Sequence, residues 1–513
     1  MPPGSSPLGI VVKRTTGHRG CCEFERRAAL ARPACQALAI AGLITGCGSG
    51  ESGPAPQPVI PPPAAVTAVT MVLTSTANDQ LTEFDIEFEG MSLTSASGKK
   101  VTVLPQARQS EMIHVNGAME PLATTTVPQD VYTAATVTVG GAQFMCIAHP
   151  PNAGLTISTF AYGQTPTTDV TVTLPSPIVV SGETMGLALN MQVSHSASYT
   201  SCAAGGSYAI TPAFSLSAFA LSSQRAPSAN GGVAALDGEV TALDSASTGF
   251  QISLPGWGLV GLPGTSVHVT TAKATIWQGI AAFTDLHAGM FVDLDGAIQA
   301  DGSIAATRIA VADPAAVNVE RGPLLFVSNA VPILVMYPRQ AQGMDPRLLG
   351  DEQFSFNGST FLVSGQFSNL PTLPFTPSFT AETMVPGQAV YVSSPAFVHY
   401  GPYSALATTI TLAAQTINGT VFGLTSSGDF TVYSVSLASY DLFPLLATQA
   451  GQTTLLTNPG VIEVYADTNT VVLTSPAPAL GDTLRFYGLV FNDHGTLRMD
   501  CAQISAGVNA LSQ

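Results

Sequence analysis

Two short motifs in this 513-residue sequence have the residue types and spacing to bind a ligand. In the first, residues 256–261 read GWGLVG, which matches the GxGxxG loop that holds a dinucleotide pyrophosphate. That loop needs a helix directly after it, because the helix N-terminus binds the phosphates. Pro255 precedes the motif and Pro263-Gly264 follows it, so no helix can begin there. We therefore expect a loop between strands.

The second motif places carboxylates at alternate positions, Asp293 and Asp295, followed by Gly296 and then by Asp301-Gly302. Alternate carboxylates and a glycine turn could gather oxygen ligands around calcium. The third alternate ligand and the terminal Glu of an EF-hand loop are missing from the sequence, so no metal site is predicted. We expect Asp293 on the solvent-facing side of a strand and the Asp-Gly pairs in turns.

The histidines and serines form no catalytic motif. After residue 46 the histidines are His114, His149, His195, His268, His287, His399 and His494. None is paired at a zinc-ligand spacing such as HExxH, and no GxSxG nucleophile elbow occurs. A triad whose members meet only in space remains open. The sequence predicts no cofactor and no enzymatic activity.

Composition excludes other classes of protein. The chain has 17 Lys and Arg against 33 Asp and Glu, a formal charge of -16, so it will not bind nucleic acid through phosphate contacts. Hydrophobic residues make up 46%, which excludes disorder of the whole chain. At about 150 residues per domain, this length predicts three or four domains.

The first 46 residues differ from the rest. They hold six basic residues against two acidic ones, and the apolar run Ala34–Thr45 is too short for the ~20 residues that span a bilayer. Residues 1–46 therefore fit a secretory signal peptide. The run ends in Leu43-Ile44-Thr45-Gly46-Cys47, which resembles the lipobox of bacterial lipoproteins. A plain signal peptide with an incidental cysteine is the alternative.

The lipobox resemblance implies acylation of Cys47, membrane lipid as a partner, and a place in the bacterial cell envelope, at the outer membrane or periplasmic side rather than in the cytoplasm. Residues 47–65 continue as a Gly, Ser and Pro-rich stretch, which is typical of a flexible, disordered stalk.

From residue 66 onward, short alternating runs bounded by Gly, Pro, Asn and Ser predict an all-β protein. Residues 66–222 predict a β-sandwich, and their order of strands resembles the lipoprotein domain family DUF4382.

Three glycine-led segments predict a repeat, beginning at Gly289, Gly387 and Gly481. They indicate two to three small OB-like β-barrels at residues 233–315, 319–416 and 417–508, with the glycine at a tight turn or bulge. The first and third resemble the DUF5666 family. The middle copy is degenerate, because Phe367–Phe379 is an insertion rich in Pro and Phe. The resemblance implies architecture and envelope location, and no chemistry.

Two residue pairs complete the candidate sites. Cys146 and Cys202 fall in the same predicted sandwich, and an exported compartment permits a disulfide between them. Two separate buried thiols are the alternative. Trp257 and Trp277 could stack on sugar rings, although core or rim packing also explains them.

The sequence as a whole indicates a cell-envelope lipoprotein with a non-catalytic binding or scaffolding role, with an envelope protein or a polysaccharide as possible partner. The alternatives are an envelope-polymer hydrolase and a polysaccharide-recognition or adhesion protein.

Overall fold

The computed structural model describes residues 65–76, 80–148, 156–161, 167–202, 207–221, 232–244, 246–254, 265–316, 318–342, 351–364, 372–395, 405–448 and 456–508. The predicted signal peptide and nearly all of the predicted stalk lie outside these residues. The described part is almost entirely β-structure, so the all-β prediction is confirmed. None of the described helices is long and apolar enough to cross a membrane.

The first lobe, which we call the sandwich lobe, packs two sheets on one core. One sheet has the order β13-β10-β1-β5, and the other has the order β3-β2-β6-β7 with β4, β8 and β9 at its sides. Alternate residues of both sheets, such as Met71 and Phe84, meet in a single apolar cluster. Its elements are β1 (Val66–Thr76), β2 (Glu83–Ser95), β3 (Lys100–Leu104), β4 (Arg108–Glu111), β5 (Glu120–Pro128), β6 (Asp130–Ala148), β7 (Thr156–Ala161), β8 (Thr168–Val172), β9 (Ile178–Val180), β10 (Thr184–Gln192), α1 (Val193–Ser196), β11 (Ala197–Tyr199), β12 (Tyr208–Ile210) and β13 (Phe214–Phe219).

Three barrels follow the sandwich lobe. Barrel 1 consists of β14 (Gly232–Asp244), β15 (Gly249–Ser253), β16 (Ser266–Thr270), β17 (Ile276–Gln278), β18 (Phe291–Ile298) and β19 (Ile304–Ala310). Barrel 2 consists of β20 (Asn318–Ser328), β21 (Ile333–Met336), β22 (Gln340–Ala341), β23 (Glu352–Ser355), β24 (Thr360–Val363), β25 (Ala389–Ser394), β26 (Ala405–Leu406) and β27 (Thr409–Leu412). Barrel 3 consists of β28 (Gln415–Ser427), β29 (Phe430–Leu437), α2 (Leu442–Ala447), β30 (Val461–Ala466), β31 (Val471–Val472), β32 (Thr483–Asp493) and β33 (Thr496–Ala506).

Barrels 1 and 3 share one strand order. In barrel 1 the first strand, β14, pairs with β15 and β18, while the third strand, β16, runs parallel to β19 and closes the ring. The corresponding strands of barrel 3 pair in the same way, with β30 parallel to β33. An extra short strand, β17 or β31, lies parallel to the last strand. This is a partly closed, five-stranded barrel of the OB kind.

Barrel 2 has the same order, with its last strand divided in two. β26 runs parallel to β23, β27 pairs with β25, and β24 takes the place of the extra parallel strand. The middle segment is therefore a third barrel with an insertion.

A repeated backbone frame explains the three glycines. Each precedes the fourth strand of its barrel with a positive φ, where only glycine is unstrained. Each donates its N–H to the carbonyl of an aliphatic residue in the first strand, next to a β-bulge. The pairs are Gly289 to Val240 (2.8 Å), Gly387 to Leu324 (2.7 Å) and Gly481 to Val421 (2.8 Å).

The insertion of barrel 2 packs against barrel 3. Phe375 lies 5.0 Å from the ring centroid of Tyr465 and 5.7 Å from that of Phe491. These rings share one apolar cluster with the core of barrel 2. The Pro and Phe-rich insertion therefore joins the two barrels.

Candidate functional site

Charged side chains collect where the four lobes meet, and we call this region the central junction. In each barrel, one residue of the first strand faces a partner on the fourth strand, just outside the glycine frame. The cross-strand pairs are Asp237 with Asp293, Arg321 with Tyr391, and Asn418 with Arg485. The same backbone position thus carries an acid, a cation or an amide, so the three barrels present different chemistry to one another.

Asp237 of barrel 1 is bonded to barrel 2. Its carboxylate accepts a hydrogen bond from the guanidinium of Arg321 at 2.9 Å and from the hydroxyl of Tyr391 at 2.7 Å. The guanidinium also lies 5.4 Å from the Tyr391 ring centroid, within the range of a cation–π contact. Burial raises the pKa of Asp237 to about 6 although Arg321 opposes the shift. The Asp237 carboxylate and its two donors hold barrels 1 and 2 together.

Asp293 and Asp295, the sequence candidates for calcium, bind Arg308 instead. The guanidinium donates to Asp293 at 3.0 Å and to Asp295 at 2.8 Å. The expectation of a solvent-facing Asp293 is wrong, because barrel 2 covers it and Ser364 donates to its carboxylate at 3.3 Å. The expected turn at Asp295-Gly296 is also wrong, because both residues lie within β18, where they pair with Arg308 and Ala306 of β19.

His114 is a charged residue that the sandwich lobe contributes to the central junction. Its Nε2 lies 2.9 Å from Glu120, and its Nδ1 lies 3.4 Å from Glu111. Burial works against the charged form, but the hydrogen bonds with Glu111 and Glu120 outweigh it and raise the pKa of His114 to about 9. The imidazole is therefore a cation at neutral pH.

Glu111 fixes the segment that carries His114. Its carboxylate accepts the backbone N–H of Phe84 at 2.9 Å, of Ile113 at 2.8 Å and of His114 at 2.7 Å. A buried carboxylate with three backbone donors is well satisfied, so this turn is held firmly.

Two more arginines tie barrels to the sandwich lobe. Arg339 of barrel 2 donates to the carbonyl of Thr82 at 2.6 Å and to that of Leu81 at 3.2 Å. Arg485 of barrel 3 donates to Asn116 Oδ1 at 2.9 Å. Burial lowers the pKa of Arg485 to about 10, still well above neutral pH.

A small cavity of about 30 Å³ lies at the centre of the junction. Residues from the sandwich lobe, barrel 2 and barrel 3 line it, among them His114, Arg321 and Tyr487. A buried water needs roughly 10–15 Å³ of such volume, so the cavity suits one or two small species and no organic substrate.

Barrel 2 also has two buried acids at one end. Glu320 is 1% exposed, and burial raises its pKa to about 8. Glu352, on the third strand, has its pKa raised to about 7, again mainly by burial. Asn318 donates to Glu320 at 2.8 Å. No sequence motif marks these two acids as a pair, because Glu320 lies on β20 and Glu352 on β23.

The structure brings together only some of the residues singled out in the sequence. Cys146 and Cys202 are bonded as a disulfide, with their Cα atoms 5.8 Å apart. Trp277 is half-buried on β17 and packs against the core of barrel 1. Cys47, Trp257 and the motif at 256–261 lie outside the described residues.

Sequence reasoning missed the central junction. Its bonded side chains lie up to several hundred residues apart along the chain, as do Arg485 and Asn116. The one local signal was the spacing of Glu111, His114 and Glu120, which brackets a histidine with two acids.

Comparison with known proteins bears on barrel 1. Residues 237–310 match the family described as "Domain of unknown function (DUF5666)". The match runs from the first strand of barrel 1 to the end of its last strand. No curated protein matches the chain.

Proposed function

We propose that this protein is a lipid-anchored component of the bacterial cell envelope, with a non-catalytic binding or scaffolding role. The observation that carries the scaffolding role is the use of the central charges. Asp237, Arg321 and Arg339 bond across lobe boundaries, so they serve to join the lobes. A set of lobes joined in this way presents several surfaces to partners in a fixed arrangement.

The envelope location is supported by the sequence before the folded part. The lipobox-like run ending at Cys47 is followed by the Gly, Ser and Pro-rich stretch up to Pro63, and β1 begins at Val66. The resemblance of residues 66–222 to DUF4382 points the same way.

Metabolic labelling tests the anchor. Cells expressing the full chain are grown with an alkyne fatty acid, and labelled protein is followed through membrane fractionation. We expect label and membrane association in the wild type and the loss of both in Cys47→Ser. Cys21→Ser and Cys35→Ser are matched controls that should keep both. A Cys47→Ser chain that still carries label and sediments with membranes would exclude this anchor.

Cross-linking in intact cells tests the binding role. The full chain is cross-linked in the envelope, purified, and its bound protein or glycan is identified by mass spectrometry. A partner recovered in a fixed ratio supports scaffolding. Turnover of an envelope polymer by the purified protein, abolished by one Asp or Glu substitution, would instead establish the hydrolase alternative.

Polysaccharide recognition is the second candidate, and one observation favours it. Trp277 is half-buried on the outer strand β17, next to Ile276, which is 59% exposed. An aromatic ring at such an edge can stack on a sugar. Binding to a glycan array that Trp277→Ala or Trp257→Ala abolishes would support this function, and unchanged binding in both variants would remove the tryptophans from it.

A further inference from the structure

The side chains that line the cavity of the central junction differ in charge from the central junction as a whole. Eleven described residues line it, and none of them is Asp or Glu. Three of them are cationic at neutral pH: His114, Arg321 and Arg339. The carboxylates that pair with His114 and Arg321 do not line the cavity. The lining of the cavity is therefore cationic, although Asp237, Asp293 and Asp295 lie close enough to Tyr487 to contribute, after burial, to its raised pKa.

Arg321 retains donors for a further acceptor. A guanidinium has five N–H groups. The hydrogen bonds of Arg321 go to Asp237 at 2.9 Å, to Gln340 at 3.2 Å and to the carbonyl of Ala414 at 3.3 Å. Two N–H groups thus remain after the bonds to the described residues. A buried cation with unused donors favours an acceptor within reach.

Tyr487 supplies a second donor from barrel 3. Its side chain lines the cavity and is 5% exposed. Its hydroxyl is buried and has no hydrogen-bond partner among the described residues. Leaving such a group unbonded costs about 1–3 kcal/mol, so an acceptor beside it is favoured.

We propose that this cavity binds one small monovalent inorganic anion, of the size of chloride, between the guanidinium of Arg321 and the hydroxyl of Tyr487. The anion accepts hydrogen bonds from barrel 2 and barrel 3 at once, beside the sandwich-lobe residue His114. It thereby adds a bridge among three lobes.

Thermal unfolding of the purified full-length protein tests the site. Chloride or bromide is titrated against gluconate at constant ionic strength, because gluconate is too large for the cavity. We expect a saturable rise of the unfolding midpoint with halide. Tyr487→Phe should weaken the apparent halide affinity roughly tenfold, the effect of one lost hydrogen bond to an ion.

Tyr440→Phe is the matched control, since Tyr440 donates its hydroxyl to the carbonyl of Val508, away from the cavity. It should bind halide like the wild type. A halide effect that does not saturate, or one that Tyr487→Phe leaves unchanged, would overturn the proposal.

Crystals grown in bromide give a direct answer. An anomalous peak between Arg321 and Tyr487 is expected, and its loss in Tyr487→Phe would assign the hydroxyl as a ligand. Density for water alone at this position, with no anomalous signal, would show that the cavity is a hydration site and would refute anion binding.

Discussion

Barrel 2 meets barrel 1 and barrel 3 through junctions of different chemistry. Toward barrel 1 it presents Arg321 and Tyr391, which bind the buried carboxylate of Asp237. Toward barrel 3 it presents Phe375, which packs on aromatic rings, and Gly387, which lies under Phe443 of α2. One junction depends on direction and charge, and the other depends on shape and apolar area.

This difference shows how barrels of the same fold can avoid packing against the wrong neighbour. An apolar surface accepts many partners, since burial of apolar area has no direction. A buried acid accepts only a surface with a matching cation, because an unmatched charge in the interior costs several kcal/mol. We infer that the charged junction determines which barrel packs beside barrel 2. The aromatic junction contributes more of the free energy that holds barrel 2 to its neighbours.

Among single substitutions, the largest effect is expected from breaking the charged junction. Arg321→Ala leaves Asp237 buried beside no guanidinium, and we expect a loss of about 4 kcal/mol in the free energy of unfolding. Urea unfolding of the full-length protein measures it. The double variant Asp237→Leu with Arg321→Met should recover most of the loss, because neither member of the pair then leaves its partner's charge buried and unmatched. A single variant as stable as the wild type would contradict this account of the junction.

Breaking the aromatic junction should cost somewhat less. Phe375→Ala removes a ring that is 9% exposed and touches Tyr465 and Phe491, so we expect a loss of about 3 kcal/mol. Phe375→Leu keeps most of the apolar volume and should lose less than half as much. Equal losses for the two variants would mean that volume is not the source of the stability.

The buried acids and His114 make the stability of the folded protein depend on pH. The folded-state pKa is raised to about 6 in Asp237, about 7 in Glu352, about 8 in Glu320 and about 9 in His114. Each group binds its proton more readily in the folded state than in the unfolded state. The stability this confers is present at acidic pH and is lost as pH rises through these values.

We therefore expect the free energy of unfolding to fall by roughly 5 kcal/mol or more between pH 6 and pH 9, because the raised pKa values of Glu320 and His114 each contribute roughly 2–3 kcal/mol over this range. Urea unfolding at a series of pH values measures it. Glu320→Gln should make the fall between pH 6 and pH 8 less steep, while the fall due to His114 remains up to about pH 9. A stability that rises over this range would show that the raised pKa values are wrong in direction.

The smallest effect is expected at the glycine that precedes the fourth strand of each barrel. Gly481→Ala meets no atom within 4 Å, so only its backbone strain at φ +88° counts, about 1 kcal/mol. Gly387→Ala places a Cβ 2.7 Å from the ring of Phe443 and should cost more. Thermal unfolding of both variants tests this order. Equal shifts of the unfolding midpoint would show that α2 moves aside at little cost in free energy.

The sequence predicted those features that depend on neighbours along the chain. Alternation predicted strands, and the spacing of Gly289, Gly387 and Gly481 predicted the repeat with its turn or bulge. The first strands of barrels 1 and 3 also resemble each other, at Gly238-Glu239-Val240 and Gly419-Thr420-Val421, whereas the corresponding residues of barrel 2 are Gly322-Pro323-Leu324. There Pro323 sits within β20 and hides the pattern.

The central junction could not be predicted in the same way. Asp237 and Arg321 lie in different barrels, and nothing local to either residue specifies which surfaces meet. The solvent-facing expectation for Asp293 failed for the same reason, since alternation distinguishes the core of a barrel from its outside but not a free outside from a covered one. The expectation of a turn at Gly296 failed because the glycine lies within β18, opposite a bulge at Thr307 of β19 that nothing local to Gly296 marks.

The position of β1 has a mechanical consequence. This strand lies between β5 and β10, and nine of its residues, Ala68–Thr76, run parallel to Thr184–Gln192. A pull on the chain ahead of Val66 acts along the strand, so the hydrogen bonds on both sides resist in shear and must break together. A load applied there would meet this doubly paired strand of the sandwich lobe before it reached any barrel.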